Sequence, residues 1–280
     1  MMSDRLRGRE KSKKIFIFSS LDENVRKECA RKIHELGGVH FNIKGFKAMC
    51  THIICGKLTK TEKYLGGCAT GKWVLHPDYI LKSYEAKGWL DEEKFEWCLE
   101  TGEDKFLEDE LKAAPRRWRF LLGNRGAFEG WKVAVLAGSI KTPVYKRLLI
   151  SGGAEVFSLT LPVRNPEKVA NTLTYLFVSQ QNVGYVSHLV DYGVLCLKPE
   201  FIGDYLLKVG CHLPFDTAFL YMTDKFSSKD QFVLALNIIN SELQRCQPFL
   251  IFLIKYKDLV KFLHSKLTKF IQTKFKGIEF

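Results

Sequence analysis

The 280-residue chain lacks the features that mark membrane and secreted proteins. Its longest apolar run, residues 249–254, is far shorter than the roughly 20 residues that span a bilayer, so no transmembrane helix is expected. The eight cysteines are scattered without a C-x-x-C pair, which favours reduced and buried thiols in a nuclear or cytosolic protein. The basic N-terminus has no apolar segment behind it, and we therefore expect no secretory signal peptide.

Catalytic motifs are missing as well. The chain has no G-x-S-x-G, no H-E-x-x-H and no Cys/His pair with zinc spacing. His52 stands between Cys50 and Cys55, but we interpret it as a core or edge residue rather than a metal ligand. His188 and Asp191 have no evident nucleophile and are interpreted as loop residues. The sequence therefore predicts a protein without enzymatic activity, bound metal or other cofactor.

What the chain does have is an excess of positive charge. It carries 43 Lys and Arg against 31 Asp and Glu, a formal net charge of +12. This balance indicates an acidic partner, which can be nucleic acid, anionic lipid or phosphorylated protein, and charge alone does not choose among them. The hydrophobic share of 46% is typical of globular proteins, and the length leaves room for two domains.

An internal repeat organises the chain into two units with one plan. Each unit reads as a buried strand, a helix closed by glycine, further strands, and a last helix that begins after Pro77 or Pro199. The helix-closing glycine pairs are residues 37–38 and 152–153. Strands that alternate with helices predict an α/β fold, with a small parallel four-stranded sheet flanked by helices in each unit.

The repeat also predicts the domain boundaries. We expect a basic disordered arm at residues 1–12, a first domain at 13–98, an inter-domain linker at 99–130, a second domain at 131–213 and a helical, basic extension at 214–280. An apolar stripe in the extension is expected to pack on the adjoining domain, with a membrane or a partner helix as the alternative.

Residues 59–73, TKTEKYLGGCATGKW, are the most informative stretch. Thr59 and Glu62 have capping-box spacing, which predicts a helix that begins near Lys60. Lys63 then lies at the helix N-terminus, where a cation is disfavoured by a few tenths of a kcal/mol unless an anion binds there. A solvated lysine on an exposed face is the alternative.

The same stretch imitates a nucleotide-binding P-loop. Gly66, Gly71 and Lys72 fit G-x-x-x-x-G-K, but Trp73 follows where the motif needs Ser or Thr as a magnesium ligand. The predicted order, helix and then strand, is also the reverse of a P-loop. We therefore reject nucleotide binding.

The repeated unit resembles the BRCT domain in tandem, over residues 13–213. The resemblance is carried by the glycines at 37–38, THIIC at 51–55, KYLGGCATGKWV at 63–74, and the aromatic residues Tyr79 and Phe201 in the last helix of each unit.

A narrower resemblance is to a BRCT/ankyrin family that serves structural-maintenance-of-chromosomes complexes at DNA damage. It is carried by GWLDEEKFEW at 88–97, APRRWR at 114–119 and GAFEGWKV at 126–133. The ankyrin pattern T-P-L-H-x-A is absent, so we expect a short isoform, a fragment or a diverged product.

The resemblance implies one phosphoserine site, in the first domain. Its phosphate ligands would be the Ser19 hydroxyl, the Ser20 backbone N–H and the Lys63 ammonium, while Lys60 would hold the peptide backbone beyond the phosphate. The family usually has Gly in place of Ser20, so a left-handed backbone there would cost energy. The second unit has no basic residue that matches Lys63.

The resemblance further implies a nuclear scaffold of the DNA damage response, with the cytoplasm as a second location. Its partner would be a phosphorylated post-replication-repair ubiquitin ligase, with no membrane and no small-molecule substrate. The alternative is a module that binds DNA or RNA independently of sequence and loses affinity steeply with salt. A purely structural adaptor for unmodified peptide is the third reading.

Overall fold

The computed structural model describes residues 13–97, 109–192 and 194–208. Within them the strands are β1 (Ile15–Ser19), β2 (Val39–His40), β3 (His52–Cys55), β4 (Trp73–Leu75), β5 (Lys132–Leu136), β6 (Glu155–Phe157), β7 (Tyr175–Val178) and β8 (Leu195–Leu197). The α-helices are α1 (Glu23–Glu35), α2 (Glu62–Ala69), α3 (Asp78–Glu85), α4 (Asp109–Leu122), α5 (Lys141–Ser151), α6 (Pro166–Thr172), α7 (Val183–Val186) and α8 (Phe201–Leu207).

Two parallel four-stranded sheets confirm the predicted fold class of two BRCT-like domains. Their strand orders are β2-β1-β3-β4 and β6-β5-β7-β8. Ser19 is paired with Cys55 in the first sheet, and Leu136 with Val178 in the second. Because parallel strands end at the same edge of a sheet, the segments that follow β1 and β3 lie side by side at the carboxyl edge of the first sheet.

The central strand β1 is apolar because helices cover both of its faces. Phe16 and Phe18 pack in the cluster that includes Cys29 of α1 and Tyr79 of α3. Ile17, on the opposite face, packs in the cluster that includes residues of α2. The alternation of side chains along the strand therefore divides the first domain into an α1/α3 core and an α2 core.

The glycines that imitate a P-loop serve close packing instead. A Cβ on Gly66 would lie 2.3 Å from the Phe46 ring, and one on Gly67 would lie 2.9 Å from Ile53. Gly71 follows α2 with φ +60°, a left-handed conformation suited to glycine. Strand β4 comes next, so the order of helix and strand is the one predicted.

Helix α4 lies inside the stretch predicted as a linker and forms hydrogen bonds with both domains. The Trp118 indole Nε1 and the Arg117 Nη2 donate to the Leu206 carbonyl of α8 at 2.6 and 2.7 Å. On the other side, the Tyr64 hydroxyl of α2 donates to the Leu111 carbonyl at 2.7 Å. One hydrophobic cluster holds residues of both sheets together with α2, α4, α5 and α8. The described part of this stretch is therefore an element of the domain interface.

Several local expectations differ from the structure. The apolar pattern predicts strands at residues 39–43 and 155–159, whereas β2 ends at His40 and β6 at Phe157. Helices α6 and α7 occupy stretches where no helix was predicted. His188 and Asp191 lie in a 3-10 helix, Ser187–Tyr192, rather than in a loop. The predicted arm at 1–12 and extension at 214–280 lie outside the described residues. Within the described ranges, no helix combines the length and apolar character needed to cross a bilayer.

Candidate functional site

The candidate site lies where β1 ends and the chain turns toward α1. Ser19 is the last residue of β1 and is 4% exposed, whereas Ser20 is exposed to solvent. Ser20 has φ +48°, in the left-handed region that costs a residue with a side chain roughly 1–2 kcal/mol. The cost expected for serine at this position is therefore present, and contacts with the surrounding chain must hold the loop in its shape.

Two serine–threonine hydrogen bonds hold this loop against the turn before α2. The Ser19 Oγ lies 2.7 Å from the Thr61 Oγ1, and the Ser20 Oγ lies 2.9 Å from the Thr59 Oγ1. Lys60 stands between the two threonines in the chain and is exposed. The structure thus brings Ser19, Ser20 and Lys60 to one edge of the sheet.

Helix α2 begins two residues later than predicted, with Thr61 as its N-cap. The Thr61 Oγ1 accepts a hydrogen bond from the Tyr64 N–H at 3.2 Å. The predicted capping box of Thr59 and Glu62 is wrong, because the Thr59 hydroxyl bonds the preceding loop and Glu62 is itself the first helical residue. Lys63 is consequently the second residue of α2, closer to its N-terminus than the sequence suggested.

The Lys63 ammonium is bound at the end of β1. Its Nζ donates to the Phe18 carbonyl at 2.8 Å. Phe18 follows Phe16 by two residues, so both carbonyls point from β1 toward the side where β2 lies. The Phe16 carbonyl accepts the Phe41 N–H at 2.9 Å just beyond β2. Because β2 ends at His40, the Phe18 carbonyl extends past it and takes the lysine instead. Lys63 is half-buried rather than fully solvated, and the peptide bond that it contacts leads directly to Ser19.

A second cation, Arg26 of α1, lies close to Lys63. Its guanidinium carbon is 6.0 Å from the centre of the Phe18 ring, and it forms an ion pair with Glu23 at 3.6 Å. Burial and then the Arg26 charge lower the pKa of Lys63. Burial, Arg26 and Lys63 lower the pKa of His40 to about 4, so this imidazole is neutral at pH 7. An anion at this edge would relieve the repulsion between the two cations.

Arg26 was not among the residues predicted from the sequence. The available signal was its position in the first turns of α1, the helix that follows Ser19 and Ser20. Together with the Lys63 ammonium, the hydroxyls and the first amides of α2, Arg26 gives this edge the donors that suit a doubly charged oxyanion.

The second domain lacks the matching hydroxyl. The Gly56 N–H donates to the Ser19 carbonyl at 3.3 Å, and the Ser179 N–H donates to the Leu136 carbonyl at 3.0 Å. Leu136 therefore corresponds to Ser19 by hydrogen-bond position. Residues 180–192, which join β7 to β8, contain neither lysine nor arginine. That only one phosphate site exists remains a prediction.

His52 belongs to a polar network at the opposite, amino edge of the first sheet. It is 3% exposed, and its Nε2 lies 3.2 Å from the Glu92 Oε1, which also accepts from Lys14. Hydrogen bonding to His52, followed by Lys14, lowers the pKa of Glu92 to about 2. No group of three or more His, Cys, Asp or Glu side chains that could hold a metal occurs in the described part of the chain.

Sequence and structure comparisons both find similarity to BRCT domains. Residues 9–84 match the BRCA1 C Terminus (BRCT) domain family. The crystal structure of the S. pombe Brc1 BRCT5-BRCT6 domains superposes on the chain with a TM-score of 0.52 at 18% identity, covering 71% of this chain and 95% of that one. The two described sheets therefore have the fold of that tandem BRCT structure, and the first of them lies within the stretch that matches the BRCT domain family.

The chain is also similar to SMC5-SMC6 complex localization factor protein 1. It is 34% identical to the Mus musculus protein over 163 residues, which is 57% of this chain and 15% of that protein. The values for the Homo sapiens protein are the same, 34% over 163 residues, 57% and 15%. The chain thus spans about 15% of the length of these curated relatives.

Proposed function

We propose that the chain is a non-enzymatic adaptor that binds a phosphoserine peptide at the carboxyl edge of its first domain. The Ser19 hydroxyl, the Ser20 backbone N–H and the Lys63 ammonium would bind the phosphate. Arg26 would add a second positive charge, and Lys60 would contact the peptide backbone beyond the phosphate.

The observation that carries this proposal is the placement of the Lys63 ammonium. It lies 2.8 Å from the Phe18 carbonyl, one peptide bond from Ser19, and beside a loop that two hydroxyl–hydroxyl bonds hold in place. A half-buried ammonium with a lowered pKa, next to a second cation, is an arrangement that an anion stabilises.

The energies favour a dianion over an uncharged hydroxyl. A phosphoserine carries close to two negative charges and three acceptor oxygens. Hydrogen bonds to charged groups contribute about 1.5–3 kcal/mol each, so two or three of them separate a phosphorylated peptide from its bare form. A serine hydroxyl at the same place would bring no negative charge to Lys63 or Arg26.

The proposed biological setting follows from the similarity to the SMC5-SMC6 localization factor. The chain would link a phosphorylated ubiquitin ligase of post-replication repair to genome-maintenance complexes in the nucleus. Mass spectrometry of the proteins that the chain retains from damaged cells and loses after phosphatase treatment would show whether such a ligase is among them.

The direct test is a binding measurement with a degenerate phosphoserine peptide pool and its unphosphorylated counterpart, read by fluorescence polarisation across a salt series. The proposal expects binding of the phosphorylated pool alone, with modest salt dependence. Tighter binding to DNA of any sequence, with affinity that falls steeply as salt rises, would favour the nucleic-acid alternative. Equal binding of both pools would contradict the proposal.

A further inference from the structure

An arginine of the second domain is bound to the helix that carries Lys63. Arg147 of α5 donates from Nε to the Glu62 Oε1 at 2.9 Å and from Nη2 to the Glu62 Oε2 at 2.8 Å. The Glu62 Oε1 also accepts the Phe46 N–H at 3.1 Å. The glutamate side chain is 13% exposed and the arginine 44%. The fork is thus a defined contact between domains at the first residue of α2.

The local packing leaves room for this pair of hydrogen bonds between Arg147 and Glu62. Gly45 lies against it, and a Cβ at that position would be 3.0 Å from the Glu62 Oε1 and 3.4 Å from the Arg147 Nε. Any larger residue would press on the carboxylate or the guanidinium. The Phe46 N–H and the two hydrogen bonds from Arg147 fix the Glu62 carboxylate, and Gly45 leaves the space that this arrangement needs. Such a pair is more defined than a solvated surface ion pair.

Glu62 poses an electrostatic problem for an anion site. A carboxylate at the start of α2 suits the helix dipole, but it adjoins Lys63 in the chain. The negative charge of Glu62 raises the pKa of Lys63, against the larger lowering by burial and by Arg26, so the two side chains interact. Unpaired, the same charge would repel a phosphate dianion that approaches Lys63.

We infer that Arg147 is a positioning residue that neutralises Glu62 and thereby makes the phosphate affinity of the first domain depend on the second. This inference rests on the function proposed above. It assigns the second domain a part in phosphate binding even though Leu136 stands where Ser19 would be needed. The second domain would contribute a compensating charge rather than a ligand.

Four variants test the inference with the phosphoserine peptide pool as probe. Arg147→Met should weaken binding about tenfold, the size of one charge interaction near a protein surface. Glu62→Gln keeps an oxygen for the Phe46 N–H and should bind as well as wild type or better. The double variant should match Glu62→Gln, because the charge that Arg147 compensates is gone. Arg147→Lys, which keeps the charge without the fork, should recover most of the affinity.

A second readout does not need the peptide. The Lys63 pKa, measured by NMR on the methylated amine, should rise in Arg147→Met and return in the double variant. A double variant as weak as Arg147→Met, or a Lys63 pKa that Arg147→Met leaves unchanged, would overturn the inference. If wild type bound neither peptide pool while the lysine pKa moved as expected, the coupling would stand and the phosphopeptide function would fall.

Discussion

Replacing Lys63 by methionine isolates the group on which the proposed site depends. The change keeps a long apolar stem for the half-buried part of the side chain and removes only the charge and the donor. Because the ammonium would make a charged hydrogen bond to phosphate, its loss should cost about 1.5–3 kcal/mol, or roughly 10- to 150-fold in affinity.

Stability should change much less than affinity. The Phe18 carbonyl loses the hydrogen bond from the Lys63 Nζ, which destabilises the folded state. The variant also no longer has to bury a charge, which stabilises the folded state and opposes the first effect. Isothermal calorimetry with the phosphoserine peptide pool, together with thermal unfolding, separates binding from folding. Lys47→Met, at an exposed lysine on a neighbouring loop, is the matched control and should bind as wild type.

Two results would refute this reasoning. Equal affinity of Lys63→Met and wild type would mean that the ammonium does not contact the phosphate. A loss of affinity that Lys47→Met reproduces would mean that net charge, and not the geometry at the end of β1, drives binding.

Three further predictions concern the same domain. Arg26→Ala should weaken phosphopeptide binding severalfold, whereas Lys27→Ala, which removes the other cation paired with Glu23, should not, and equal effects in calorimetry would exclude a specific role for Arg26. Ser20→Gly should preserve affinity, because the backbone N–H is the proposed ligand, while Ser20→Val should reduce it, since a β-branched residue disfavours φ +48°. Glu92 has its pKa lowered to about 2 from 4.5, so its stabilising contribution is present above pH 4.5 and lost as pH falls toward 2. Chemical denaturation at a series of pH values should show a shallower acid loss in Glu92→Gln, and an unchanged slope would assign the acid sensitivity to other groups.

The fold class could be predicted from the sequence because the repeated pattern reflects the conformational preferences of neighbouring residues. Buried parallel strands such as β1 are apolar throughout, and glycine at residue 37 takes φ +78°, a conformation that closes α1. These patterns depend on residues that are close in the chain, so they can be recognised without knowledge of the tertiary structure. The same holds for the rejected P-loop, since the order of α2 and β4 follows from sequence pattern alone.

The composition of the candidate site was only partly readable. Lys63 drew attention because a cation at a helix N-terminus conflicts with the dipole, and the structure brings it to Ser19 and Ser20. Whether these three groups bind phosphate stays a prediction. The capping of α2 was misjudged because Thr59 has its partner on another segment, at Ser20, which no local pattern reveals.

Sequence alone determined the two repeated units, the strands and helices that recur in them, and the unusual position of Lys63, but not helices α4, α6 and α7. Only the tertiary structure decided that Arg26 stands beside Lys63 and that Arg147 of the second domain pairs with Glu62. The reason is physical. Secondary structure follows from torsional preferences and from the spacing of apolar residues along the chain. The electrostatic environment of a charge is set by groups that approach through space: Arg26 is 37 positions from Lys63 in the chain, and Arg147 is 85 positions from Glu62.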